Sequence, residues 1–178
     1  MVMEVCTVGG YEEVGKNMTA VKAGNDVIIL DAGYFLPAVI EMQEEEEGHH
    51  RADETSLRKA GAIPDDLILD KLGWRNKVRA IVIGHAHLDH IGAIPYISYR
   101  YPNAPIISTP FTIAFLEETL KDDKVRLDNK RVIVEPNAIY KIKGESGEIT
   151  IEFVHVTHST PNSTFVVLHT KEGILVYS

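Results

Sequence analysis

Cysteine is almost absent from this chain: Cys6 is the single one in 178 residues. No disulfide can form within the chain, and a reducing, cytoplasmic setting is expected. Long apolar runs are missing too, so no segment reaches the ~20 residues that a membrane-spanning helix needs. The opening residues, Met1 to Gly10, have neither the charged start nor the apolar stretch of a secretory signal. Positive charge is scarce, with 18 Lys and Arg against 26 Asp and Glu and a formal net charge of −8. That balance argues against a general electrostatic grip on a nucleic-acid backbone. There is no internal repeat. What is present is an ordinary globular mixture, 44% hydrophobic and 25% charged, which excludes wholesale disorder. The length allows one sizeable core or a large part of a bigger domain.

Three short apolar stretches, Val2 to Val8, Met18 to Lys22 and Val27 to Leu30, alternate with Gly9-Gly10, Gly15-Lys16 and Gly24-Asn25. This predicts a meander of strands with tight turns. Asp31-Ala32-Gly33 closes the third strand. From Leu36 to about Pro64 the pattern is irregular and polar, with Glu44 to Glu47 near its centre, and a loop is expected. Its paired His49 and His50 are expected to be solvated rather than liganding. Asp65 to Leu72 carries apolar residues at helical spacing behind a carboxylate cap, with Gly73 as the stop. A strand over Val78 to Ile83 follows, then a histidine-rich loop and a helix from Ile91 to Tyr99. Pro105 to Ser108 predicts a strand, and Thr109-Pro110 opens a helix through Leu120, proline being well placed in a first turn. Further strands are expected at Arg131 to Val134, Ile149 to Val156, Thr164 to His169 and Ile174 to Ser178. Alternating strands and helices predict a layered α/β fold.

The run Gly84-His85-Ala86-His87-Leu88-Asp89-His90 carries the chemistry. In extended chain, residues two apart point to the same side, so His85 and His87 can grip one cation. Asp89 and His90 leave in another direction as the chain turns toward a helix, which suits a second cation. Imidazole with carboxylate favours zinc over manganese or iron; a histidine-rich loop with no ligand is the competing reading. Two divalent cations would also return positive charge to the spot where a phosphate must arrive, so the acidic balance lowers the case for nucleic acid without removing it.

Asp31 ends one apolar strand, His85 to His90 end another, and His158 lies in Val156-Thr157-His158-Ser159-Thr160-Pro161-Asn162-Ser163 at the end of a third. This constellation resembles the metallo-β-lactamase superfamily, in which an H-x-H-x-D-H motif follows an aspartate-ended strand and precedes a lone histidine. Gly9 to Asn17, Ile29 to Gly33 and His85 to Pro95 look more specifically like the β-CASP nucleases, particularly the amino-terminal part of archaeal ribonuclease J. The resemblance covers nearly the whole chain. It implies the amino-terminal half of an αββα sandwich, a partial domain over residues 1–178 that ends before the β-CASP insertion. It further implies that His85, His87 and His158 hold a first metal and Asp89 and His90 a second, with zinc at both and manganese as the alternative. Asp89, His90 and Asp31 are the implied catalytic residues, Asp31 acting as a hydrogen-bond partner that fixes an imidazole tautomer. An ordinary strand-end aspartate in a turn is the plain alternative for Asp31. The implied activity is hydrolysis of RNA phosphodiesters by a metal-bound hydroxide, as a 5′-to-3′ exonuclease, with endonuclease action as a neighbour within the same chemistry.

The family pattern next places a glycine-aspartate pair after a strand like Ile174 to Ser178, and the sequence stops there. The bridging aspartate, a later histidine and the inserted domain are therefore not among these residues. Weak or absent turnover by these residues alone is expected, together with self-association through an open sheet edge. A small-molecule hydrolase of the glyoxalase II or lactonase type shares the same histidine core. From a different class comes a non-catalytic, metal-stabilised fragment that binds RNA or another protein. His155 and His169 fall inside strands and are expected to be packed or edge-exposed. The hydroxyls and amide of Ser159, Thr160, Asn162 and Ser163 either touch substrate phosphates or shape a turn.

Overall fold

The computed structural model describes residues 2–45 and 53–178, so Glu46, Glu47, His49 and His50 lie outside the described residues. In chain order the elements are β1 (Glu4–Gly9), β2 (Met18–Ala23), β3 (Asp26–Leu30), α1 (Leu36–Glu45), α2 (Glu54–Lys59), α3 (Ile68–Lys71) and β4 (Val78–Val82). Then follow α4 (Leu88–Ile91), α5 (Ile94–Ile97), β5 (Ile106–Ser108), α6 (Pro110–Asp122) and β6 (Arg131–Ile133). Four strands complete the described fold: β7 (Ile139–Lys143), β8 (Glu148–His155), β9 (Thr164–Thr170) and β10 (Gly173–Tyr177). No described helix is long and apolar enough to cross a membrane.

Two sheets stack face to face. The first has the order β1-β2-β3-β4-β5-β6 and the second β10-β9-β8-β7. Strands β1 to β3 pair antiparallel as a meander, whereas β3, β4, β5 and β6 run parallel. The parallel strands are buried on both faces, which is why Val27-Ile28-Ile29-Leu30 shows no apolar alternation. Val27 and Ile29 face a helix-side core with Met18, Ile81, Ile94 and Leu116. Ile28 and Leu30 face the core between the sheets, with Val82, Ile151, Phe153 and Leu168. Complete burial of a side chain such as Phe153 contributes roughly 1.5–3 kcal/mol. The layers are thus helix, sheet, sheet. On β10 the outward residues Ile174 and Val176 are 66% and 64% exposed.

The strands anticipated from sequence form at or within a residue or two of their expected bounds, and β7 is an addition to them. The stretch from Leu36 to Pro64 departs from the expected loop, since it holds α1 and α2. Phe35, Ala38, Val39 and Met42 line up at helical spacing and pack on the helix-side core. The acidic residues after them masked that period. Helix α2 is capped by Asp53, whose Oδ1 accepts from the Ser56 N–H at 2.9 Å. The helix expected over Asp65 to Leu72 is only the single turn α3, and Asp66 is not its cap. Asp66 is fully buried and accepts from Arg58 Nη2, Arg100 Nε and the Tyr101 hydroxyl, each at 2.7 Å. The helix expected from Ile91 to Tyr99 is broken into α4, α5 and a 3-10 turn over Ser98–Arg100. Gly92 sits at the break, where an added Cβ would lie 2.2 Å from the Tyr34 ring.

Candidate metal centre

Three strand ends meet at one edge of the sandwich. Chain β3 runs out into Asp31, which turns through a left-handed φ of 59° while its N–H donates to Val82 C=O at 2.8 Å. Its neighbour β4 ends in Gly84 and the histidine run. From the second sheet, Thr164 at the start of β9 donates to Gly84 C=O through its N–H at 3.1 Å and its hydroxyl at 3.0 Å. Residues Ala32 to Tyr34 lie as a strap along the histidine segment: Ala32 N–H donates to His90 C=O at 2.8 Å and Tyr34 N–H to Leu88 C=O at 2.9 Å. Gly33 is required there, because a Cβ would fall 1.6 Å from the Asp89 carbonyl oxygen.

The structure brings His85, His87 and His158 together, one nitrogen of each lying within 4.8 Å of the others. His87 Nδ1 is 3.1 Å from His85 Nε2 and 3.2 Å from His158 Nε2. A tetrahedral zinc with ligands at about 2.05 Å sets its nitrogens about 3.3 Å apart, and the two separations from His87 Nδ1 match that value. A metal requires its imidazole donors in the neutral form, and the surroundings of His85 and His87 favour it. Burial, and then the neighbouring His90, press the His85 pKa down to about 4. Burial and His158 push that of His87 in the same direction.

Asp89 and His90 stand beside this group without joining it. The His90 ring packs on that of His85 with centroids 4.0 Å apart. His90 Nδ1 lies 2.6 Å from Asp31 Oδ2, and Nε2 lies 3.4 Å from Asp89 Oδ2. Burial pulls the His90 pKa down, but the Asp31 charge and hydrogen bond, with Asp89, outweigh it and raise the net value. Asp31 itself is 1% exposed, and its Oδ1 accepts from the Gly84 N–H at 2.9 Å.

Residues without a role in the sequence reading also enter the site. Asn17 Nδ2 lies 3.0 Å from Asp89 Oδ2, 2.9 Å from the Asp89 carbonyl and 3.2 Å from His90 Nε2. Tyr177 of β10 stands against Asp31, its phenol raised by burial and then by that carboxylate. Asn17 falls within the Gly9 to Asn17 segment that carries part of the resemblance, which is the only sequence signal it has. His155 is exposed at the end of β8, and His169 pairs across strands with Glu152 at 2.7 Å. Neither reaches the histidine group.

Residues 11–178 match the family model described as the metallo-beta-lactamase superfamily, and the chain belongs to that superfamily. Within it, the chain is similar to the archaeal proteins named Ribonuclease J. It is 41% identical over 181 residues to that of Methanocaldococcus jannaschii, covering 99% of this chain and 38% of the relative. To that of Pyrococcus abyssi it is 42% identical over 177 residues, covering 99% of this chain and 37% of the relative. The chain thus spans about two fifths of the length of these relatives, matching mainly their amino-terminal part. In fold it resembles the solved structure of BJP-1, a subclass B3 metallo-beta-lactamase of Bradyrhizobium japonicum. The TM-score is 0.58 at 16% identity, over 98% of this chain and 58% of the other.

Proposed function

We propose that this chain is the metal-binding portion of a zinc-dependent ribonuclease of the ribonuclease J type, acting on RNA phosphodiesters as a 5′-to-3′ exonuclease in the cytoplasm. The observation that carries this is the convergence of the His85, His87 and His158 nitrogens at the spacing one small cation needs. Similarity to the two archaeal ribonuclease J proteins supplies the substrate class. When bound, a divalent cation here supplies Lewis acidity and an activated water at neutral pH. His85, His87 and His158 would hold it. Asp31 holds His90 by its Nδ1 edge and so keeps the Nε2 lone pair turned toward Asp89 and Asn17. Asp89 and His90 would supply a second, weaker pair of ligands for a neighbouring cation.

Two ligands are too few for a tight site, so these 178 residues alone are expected to bind the first cation without robust turnover. Among the described residues the outer edge of β10 has no pairing strand and Ile174 and Val176 on it are exposed, which supports self-association of the chain. The test is zinc binding by chelator competition, alongside cleavage of 5′-monophosphorylated RNA by the chain and by a longer chain of relative-like length. One tightly bound zinc, lost in His85→Ala and His158→Ala, with cleavage in the longer chain, supports the proposal. Binding that survives both substitutions, or a longer chain that cleaves no RNA, overturns it.

A further inference from the structure

The connection from β8 to β9 is a built turn. Ser163, 1% exposed, donates its hydroxyl to the Thr160 carbonyl at 2.8 Å and meets the Thr160 hydroxyl at 2.8 Å. Val156 N–H donates to Ser163 C=O at 3.0 Å, and Asn162 takes a left-handed φ of 56°. Thr164 then pins the turn to Gly84, at the root of the histidine segment. The hydroxyls of Thr160, Ser163 and Thr164 are therefore engaged in shaping and anchoring the turn.

The Ser159 hydroxyl is not. It reaches across to a different strand end, where its Oγ lies 2.9 Å from His87 Nε2. That nitrogen is on the edge of the ring opposite Nδ1, which faces His85 and His158. A neutral imidazole carries one proton and one lone pair on its two nitrogens. For Nδ1 to ligate, the proton must sit on Nε2, and a hydroxyl oxygen at 2.9 Å is placed to accept it.

We propose that Ser159 is the positioning residue of His87, accepting its Nε2–H and so fixing the tautomer and ring orientation that present Nδ1 to the cation. The inference deepens the metal-site reading above and rests on it. One turn thereby provides two things: a ligand, His158, and the partner that aims another ligand. Because Ser159 is exposed, water can replace it in part, and the effect belongs at the low end of the range for such outer partners, about tenfold in metal affinity.

The test compares zinc affinity, by chelator competition, in the unaltered chain, Ser159→Ala, Ser159→Thr and Thr160→Ala. The last variant loosens the turn without touching His87. Proton exchange at His87 Nε2–H in the zinc-loaded protein is followed by NMR. Affinity about tenfold weaker in Ser159→Ala, restored in Ser159→Thr and less affected in Thr160→Ala, with faster Nε2–H exchange only when the hydroxyl is removed, bears the proposal out. Ser159→Ala within twofold of the unaltered chain, or Thr160→Ala equally weakened, overturns it while leaving the metal site standing. An unaltered chain that binds no zinc overturns both.

Discussion

Strand β3 enters and leaves its sheet on a buried aspartate, and the two ends are used in opposite ways. Asp26 and Asp31 are each 1% exposed. At Asp26, Oδ1 accepts from Arg79 Nε at 2.6 Å and from Glu145 N–H at 2.8 Å, while Oδ2 accepts from Ser146 N–H at 2.7 Å. Every donor ends on the carboxylate, which clamps the β7–β8 turn of the second sheet to the first. At Asp31 the bond runs onward instead: Oδ2 meets one nitrogen of His90, whose other nitrogen is turned toward Asp89 and Asn17. Beside it, three further imidazoles turn nitrogens toward a common point. Equal burial thus marks a structural clamp at one end and a candidate reaction centre at the other. What separates them is where the bonds lead: to an arginine and backbone N–H groups at Asp26, and to an imidazole beside a cluster of imidazoles at Asp31. The Asp31 end is the carboxyl end of the parallel strands, where α/β sheets open their crevices.

The largest expected effect tests the clamp. Asp26→Ala strands the Arg79 Nε–H and two backbone N–H groups, Arg79 keeping only its Glu145 pair, and should lower the unfolding free energy by about 3 kcal/mol in urea titrations. Zinc affinity should stay within twofold, and an equal loss of both would erase the contrast between the ends. Burial works to raise the Asp26 pKa, but the two backbone N–H groups and Arg79 outweigh it and hold the carboxyl below its ordinary value. Its contribution is therefore present above the unfolded value near ~3.9 and lost as pH falls through the folded one. The gap between the unaltered protein and Asp26→Ala should close on acidification below about pH 4. Gly33→Ala tests the other end. Its Cβ would lie 1.6 Å from the Asp89 carbonyl oxygen and 1.9 Å from its carbon. The strap must separate from the histidine segment at a cost of about 1–3 kcal/mol, and zinc affinity should fall more than tenfold by chelator competition.

The contrast between the ends was only half visible in the sequence. His85, His87, Asp89 and His90 announced themselves because their spacing is local, and a strand followed by a turn fixes where they point. Asn17 and Ser159 carry no such mark, since each meets its partner across 72 residues of chain. Only the folded sheets bring them together. Asp66 shows the same limit in another form: placed before apolar residues at helical spacing it resembles a cap, yet Arg100, 34 residues away, decides its role. In α1 the helical period of Phe35, Ala38, Val39 and Met42 was present but short, and the following glutamates obscured it.

The smallest expected effect is the most specific to the site end. In Asp31→Asn the side chain keeps its shape, and one oxygen can still accept from Gly84 N–H. The amide nitrogen now occupies the place of an acceptor and opposes His90 Nδ1–H, so the imidazole is driven to the other tautomer and its proton moves to Nε2. That nitrogen then no longer offers a lone pair to a cation, and affinity for a second divalent ion should fall about tenfold. Loss of the carboxylate also removes the chief reason that the His90 pKa stands above its ordinary value despite burial. In zinc-free protein the NMR titration midpoint of His90 should therefore move down. A raised histidine stabilises the fold most fully below its unfolded pKa, and that contribution disappears as pH rises through the folded one. The stability gap between the unaltered protein and Asp31→Asn should thus widen from pH 8 to pH 5.5, opposite to the closing of the Asp26 gap in acid. A gap unchanged over that range would mean that Asp31, like Asp26, serves only as a clamp.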